Sequence, residues 1–149
     1  MTEQDWASYV RAVIDFAPPG RPPFRVVPDA AGATGTWPRD LVAPVLIVTA
    51  WNPDSIILPE ADNRARNQLL VAELDRTGAT FWPAVGRDPD IDHHEDGFAV
   101  SGLTLAEGVT LGARHDQAAI FVWTPGAWAV VSCSDDRCHL SGWRLTERL

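Results

Sequence analysis

From residue 45 onward, short β-rich apolar runs and two helical patterns follow one another in a fixed order, and that order constrains the fold more than any other feature. Val45–Trp51 (VLIVTAW) is an apolar run ended by the turn signal Asn52-Pro53. A helix is expected over Pro59–Thr77, where Pro59 suits the first turn and Gly78 stops the element. Thr80–Val85 reads as a second strand, with Pro83 marking an edge or a bulge. Phe98–Leu103 reads as a third strand. Thr104 with Glu107 three residues later is a capping box, which opens a helix to about Arg114. Ala118–Thr124 and Trp128–Cys133 are strands joined by Pro125-Gly126, and the tail WRLTERL is ambiguous. The order β-α-β-β-α-β plus one strand predicts an α+β fold of the split β-α-β, ferredoxin-like kind. Both main helices would then lie on one face of an antiparallel sheet. A different α+β sandwich is the alternative.

Residues 3–16 carry a helical pattern, with Trp6, Tyr9, Val10, Val13 and Ile14 at spacings of three and four. The prolines of APPGRPP end it, Phe24–Val27 is a short strand candidate, and DAAGATGTWPRD is loop-like. The expected division is a lead-in over residues 1–43, with an N-terminal helix, and one α+β domain over 44–149. A chain of 149 residues is one domain's worth and can bury a core without a staple. A net charge of −8 argues against nucleic acid or an anionic membrane as partner. No apolar run approaches the roughly 20 residues of a membrane span. Two cysteines and a polar, acidic start without a secretory pattern lead us to expect a cytoplasmic protein.

Tracing strand directions places three connections on one edge: Asn52–Leu58, Gly86–Gly97 and Arg114–Gln117. Along the first long helix, at about 100° per residue, Asn63 and Asn67 continue the stripe of Leu70, Val71 and Leu74 that must face the sheet. Inward-facing amides need partners, because an unpaired buried amide costs about 1–3 kcal/mol. Two readings stand side by side. In one, the amides bond the backbone of the WNPDSIILP loop and hold its shape; in the other, they line a polar pocket. Arg64, near a helix start, and Arg87, at a strand end, are the cations that could receive a phosphate or carboxylate there. The alternative is that Arg64 pairs with Glu60, and Arg87 with Asp88 or Glu95. The candidate ligand-binding set is Asn52, Glu60, Asn63, Arg64, Asn67, Arg87, Glu95 and Gln117.

Several of these residues fall into a familiar pattern. Thr49-Ala50-Trp51-Asn52-Pro53, followed by Glu60-x-x-Asn63-Arg64 and Asn67, resembles the opening signature of a small bacterial family of unknown function, number 3293. The resemblance continues through Gly78, Gly86, Glu95 with Gly97-Phe98, and Gln117-Ala118-Ala119, and it covers roughly residues 44–122. Arg114-His115-Asp116-Gln117 stands where the family pattern has an aromatic-Gly-Gln turn, and Gln117 matches. The resemblance implies a domain and no particular chemistry.

Other constellations are weaker. The run from Asp88 to Asp96 is rich in carboxylates, yet an EF-hand needs Gly where His93 stands and Glu where Ala99 stands, so a solvated loop is expected. Cys133 and Cys138-His139 lack a second pair of zinc ligands. We expect no metal and no cofactor. Glu60, Glu95, His94 and His115 are acid–base groups on the candidate edge, but no nucleophile motif accompanies them, so the residues leave enzymatic status open. The seven tryptophans should pack in core and rim with their indole N–H groups partnered, and would mark a protein interface if exposed together. The leading expectation is a small domain that binds a small anionic ligand or acts in regulation. The alternatives are a protein-interaction module or homodimer, through a sheet edge or the final hairpin, and a metal-assisted hydrolase using the Asp88–Glu95 loop.

Overall fold

The computed structural model describes residues 1–147. Eight strands and three helices follow in the order α1 (Glu3–Arg11), β1 (Val13–Phe16), β2 (Phe24–Asp29), β3 (Val45–Val48), α2 (Glu60–Thr77), β4 (Thr80–Arg87), β5 (His94–Ser101), α3 (Leu105–Arg114), β6 (Ala119–Thr124), β7 (Ala127–Ser132) and β8 (Cys138–Glu147). The strands form a closed barrel in the order β1-β2-β8-β7-β6-β3-β5-β4, with β4 pairing back onto β1. Every pairing is antiparallel. Residues 148 and 149 of the ambiguous tail lie outside the described residues.

The ferredoxin-like α+β sandwich expected from the element order does not form. Strands β3 to β6 are four staves of a barrel, and neither flank of that run ends in a free edge: β6 continues into β7, and β4 into β1. Three strands account for the difference. Val13–Phe16, which shares the helical spacing of residues 3–16, is strand β1, because α1 stops at Arg11. β2 comes from the lead-in segment. The tail becomes β8, which pairs with both β2 and β7. Pro83 accordingly sits on a strand with two neighbours. It lies just past Ala84, where β1 stops pairing, so no ladder bond is lost, and its carbonyl accepts from Ala17 N–H.

The alternation of strand side chains sorts the apolar residues into two clusters. One fills the barrel: Ile14, Phe16, Val26, Val45, Ile47, Trp82, Ala99, Phe121, Trp123, Trp128 and Trp143, with Trp6 of α1 joining them. The other lies between the barrel wall and the two crossover helices: Leu46, Val48, Val100 and Ile120 outside the wall, against Leu70 and Leu74 of α2 and Leu111 of α3. Burial on both faces explains why β3 reads as an unbroken apolar run. The helix boundaries follow local chemistry. Thr104 and Glu107 form the expected capping box, and Gly78 ends α2 in the left-handed conformation that an L side chain resists.

Large rings fill one end of the barrel. Trp37, from the loop-like segment, packs 4.4 Å from Trp123 with the rings tilted by 50°, and Trp143 meets Trp123 edge-on at 5.2 Å. A Cβ at Gly142 would run into the carbonyl oxygens of Ala33 and Ala30, so the same segment fits only against a glycine on β8. None of the seven tryptophans is exposed, so there is no tryptophan-rich surface patch. The indole N–H groups of Trp82, Trp123, Trp128 and Trp143 are buried without a protein acceptor, contrary to the expectation that each finds one.

Closure depends on β1, which has four residues and two neighbours. Its Asp15 points outward but its side chain is 1% exposed. Arg25 of β2 reaches one oxygen at 2.7 Å, and Arg87 of β4 reaches the other at 2.7 Å. Burial alone would raise this carboxyl, but the two guanidiniums outweigh it and hold Asp15 below the usual aspartate range. The unfolded chain therefore binds this proton more readily. The resulting stability is full above the ordinary aspartate value of about 3.9 and is lost as pH falls through the lower folded-state value. We predict that Asp15→Asn lowers unfolding free energy at pH 7 by about 3 kcal/mol. It should also remove this part of the acid limb, as checked by urea titrations at several pH values.

Candidate functional site

Three connections meet around the start of α2. The loop after β3 carries a single 3-10 turn, Pro53–Ser55, with Asn52, Asp54 and Ser55 all in the left-handed region. Such a backbone persists only where its surroundings over-determine it, and here side-chain amides do so. Asn63 Oδ1 accepts from Asn52 N–H at 2.8 Å, and its Nδ2 donates to Asn52 Oδ1 at 2.8 Å. Asn52 Oδ1 also accepts from Leu58 N–H at 3.0 Å. Asn67 Oδ1 accepts from Ala50 N–H at 2.9 Å, and its Nδ2 donates to the Asp96 carbonyl at 2.8 Å. Gln117 Nε2 donates to the carbonyls of Trp51 and His115. The amide stripe read from helix geometry is thus buried and faces inward, and its partners are loop backbone groups.

Arg66 was missed at the sequence level. Its guanidinium donates to the carbonyls of Ala50 and His115 and pairs with Asp116, so it ties the loop after β3 to the turn after α3. The ring of His115 meets Glu73, which also receives Arg114.

Beside this clasp the barrel interior is open. A cavity of about 280 Å³ enters the end opposite the packed tryptophans. Its walls are inward-facing barrel positions: Ile14, Ile47, Thr49, Ala84, Gly86, Gly97, Ala119 and Phe121. The contrast with the other end is one of side-chain size. Trp82 is followed two and four residues later by Ala84 and Gly86 on β4, and Trp123 is preceded by Phe121 and Ala119 on β6. An eight-stranded barrel has just enough interior for side chains or one small ligand, so small residues at these positions create the space. Gly97 also lets two strands approach, because a Cβ there would lie 2.7 Å from the Val48 carbonyl oxygen.

Helix α1 lies over the mouth and contributes Asp5, Ser8, Tyr9 and Ala12. It is strapped at both ends. Arg11 meets Asp88 at 2.8 Å, and Arg137 binds Glu3 at 2.7 Å while resting 4.5 Å above the Trp6 ring. The rim is completed by Asn52, Ser55 and Ile57 of the clasped loop and by Ile91, His93 and Glu95 of the β4–β5 hairpin. His93 Nε2 lies 3.3 Å from Glu95 Oε2, and that hydrogen bond raises the imidazole above its ordinary value. Burial pushes the Tyr9 hydroxyl well above the ordinary phenol range, with the charge of Glu95 adding to the effect.

The sequence-derived candidates separate into groups. Asn52, Arg87 and Glu95 border the cavity, while Glu60 and Asn63 border a neighbouring recess that shares Asn52. Asn67 and Gln117 serve the loop backbone, and Arg64 lies on the exposed surface against Glu60 at 2.6 Å. Arg87 is held by Asp15, a partner 72 residues away in sequence. The run from Asp88 to Asp96 disperses: Asp88 turns to Arg11, Glu95 to His93, and Asp96 to His94. Among the described residues, no group of three or more His, Cys, Asp or Glu is placed to hold a metal ion. Cys133 and Cys138 are both free, and burial pushes the Cys133 thiol up to about 11. The residues that sequence reasoning missed are Tyr9, Ala84, Gly86, Ala119 and Phe121. Gly86 and Gly97, expected to bound a connection, lie inside β4 and β5, where a glycine marks a close approach or a space.

The clasp and the surface pair should respond differently to truncation. Asn63→Ala leaves buried backbone groups unpaired and is expected to cost about 2–3 kcal/mol. Arg64→Ala removes an exposed pair and should change stability by less than about 0.5 kcal/mol. Chemical denaturation of both variants checks the contrast.

No curated protein and no solved structure matches this chain. Residues 48–120, from the last residue of β3 into β6, match the model of the family described as "Protein of unknown function (DUF3293)", the family that the Thr49–Pro53 and Glu60–Asn67 motifs resemble.

Proposed function

We propose that this protein is a small-molecule-binding domain whose ligand enters the open end of the barrel beneath α1. The observation that carries the proposal is the grading of side-chain size along the barrel. One end is packed with indole rings, whereas the other keeps a cavity of about 280 Å³ walled by alanine, glycine and isoleucine. A close-packed interior leaves few voids larger than a water molecule, so a space of this size with mostly apolar walls and a polar rim has the form of a ligand site. Its walls favour a compact, largely apolar body. The anionic ligand expected from Arg64 and Arg87 has less support, since Arg64 pairs with Glu60 on the exposed surface and Arg87 is held by Asp15, which it shares with Arg25.

The other readings find less support. Every strand of the closed barrel has two neighbours, so a homodimer through a free sheet edge lacks the edge it needs. No arrangement around Glu95 and His93 supplies an activated nucleophile, so binding, with or without a regulatory role, is the reading we adopt. A cytoplasmic setting fits the two free cysteines.

Benzyl alcohol is a suitable neutral probe. Amide chemical shifts should move at Ile14, Ala84, Gly86 and Phe121 as it is titrated. Gly86→Leu should abolish those shifts while the protein stays folded, because a Cβ at Gly86 meets nothing closer than Ile14 Cδ1 at 3.6 Å and the longer side chain projects into the cavity. Shifts scattered over the outer surface and unchanged by Gly86→Leu would count against a site in the barrel.

A further inference from the structure

We infer that the barrel mouth selects a ligand whose apolar body ends in a positively charged amine, with Glu95 receiving that head. This rests on the binding-site reading above and adds the chemistry of the head group. The guanidinium of Arg11 is taken by Asp88 at 2.8 Å, and that of Arg87 is held 2.7 Å from Asp15, a carboxylate it shares with Arg25. Neither guanidinium reaches Glu95. Strand alternation turns Glu95 to the same side as Gly97 and Ala99, into the mouth, and its side chain is 25% exposed. Its one ionic partner among the described residues is the ring of His93, 3.3 Å from Oε2. Asp5 faces the same opening from α1, so the entrance carries carboxylates that no arginine neutralises.

The aromatic lining points the same way. Tyr9 of the covering helix and Phe121 of the wall line the same cavity as Glu95, with ring centroids 5.9 Å apart, and the faces of such rings attract organic cations, more strongly once water is excluded. An ammonium head could meet Glu95 while its apolar body occupies the space beside Ile47 and Ala84. A carboxylate head would have to lie against Glu95 and Asp5. A neutral hydroxyl would gain a hydrogen bond without the charge. The chain as a whole, at net charge −8, also draws cations toward it.

Three probes with one body separate these cases: benzylammonium, benzyl alcohol and benzoate, each titrated at pH 7 against the full chain and followed by amide chemical shifts. Benzylammonium should bind about tenfold tighter than benzyl alcohol, and benzoate most weakly. Glu95→Gln should erase the advantage of benzylammonium over benzyl alcohol. Benzoate binding as tightly as benzylammonium, or an unchanged order in Glu95→Gln, would overturn the amine inference and leave the cavity as a binding site. Failure of all three probes to shift the cavity residues would instead overturn the binding-site reading itself. The order of the three probes on the unmodified protein is decisive even if the Glu95 variant folds poorly.

Discussion

A carboxylate gripped from both sides holds this barrel shut. Asp15 sits on a stave of four residues, and Arg25 and Arg87 reach it from the two strands that β1 must join. Four residues offer few ladder bonds to secure a seam, and a buried charge with two cationic partners adds specificity to the closure that a short apolar strand lacks. Closure also places the helix. Only Ala12 separates α1 from β1, so fixing the strand between β2 and β4 lays α1 across the opening of the barrel. The seam and the cover of the cavity are therefore one continuous segment.

The remaining architecture divides labour between the two ends. Indole rings of Trp123, Trp128 and Trp143 occupy one end, with Trp37 packed against Trp123 and Trp143 from a connecting segment. At the other end small residues keep the interior open, and the rim is shaped by a strained loop rather than by large side chains. Asn52, Asn63, Asn67, Arg66 and Gln117 fix that loop by bonding its backbone. These amides shape the site from behind, and the groups facing the cavity are different ones. The matched family segment, residues 48–120, contains the whole amide clasp and the β4–β5 hairpin, and leaves α1 and β1 outside it. The conformation of the rim is thus encoded within that segment, and its cover outside it.

What could be read from sequence follows the range of the interactions. The inward turn of Asn63 and Asn67 was legible because helix geometry is local, and so was the capping of α3 by Thr104 and Glu107. The seam was not. Val13 and Ile14 satisfy a helical spacing with Trp6, Tyr9 and Val10, while Ile14 and Phe16 equally satisfy the two-residue period of a strand. Which period wins is decided by Gly86 and Val26, the residues opposite Ile14, and these lie far along the chain. The partner of Arg87 was hidden for the same reason, since nearby Asp88 and Glu95 were the visible candidates and Asp15 belongs to a strand that local patterning did not resolve. Without that strand, β3 to β6 resemble an open sheet under two helices, and the closed barrel with its interior cavity is not foreseen.

The most direct test of this account is a set of cross-strand nuclear Overhauser effects at β1. A strand closing the barrel requires contacts from Ile14 to Gly86 on one side and from Ile14 to Val26 on the other, in the antiparallel registers of both neighbours. Observing both sets supports the closed barrel and the cavity that it encloses. Sequential helical contacts running from Tyr9 through Phe16, with none to Gly86, would contradict the closure and with it the site.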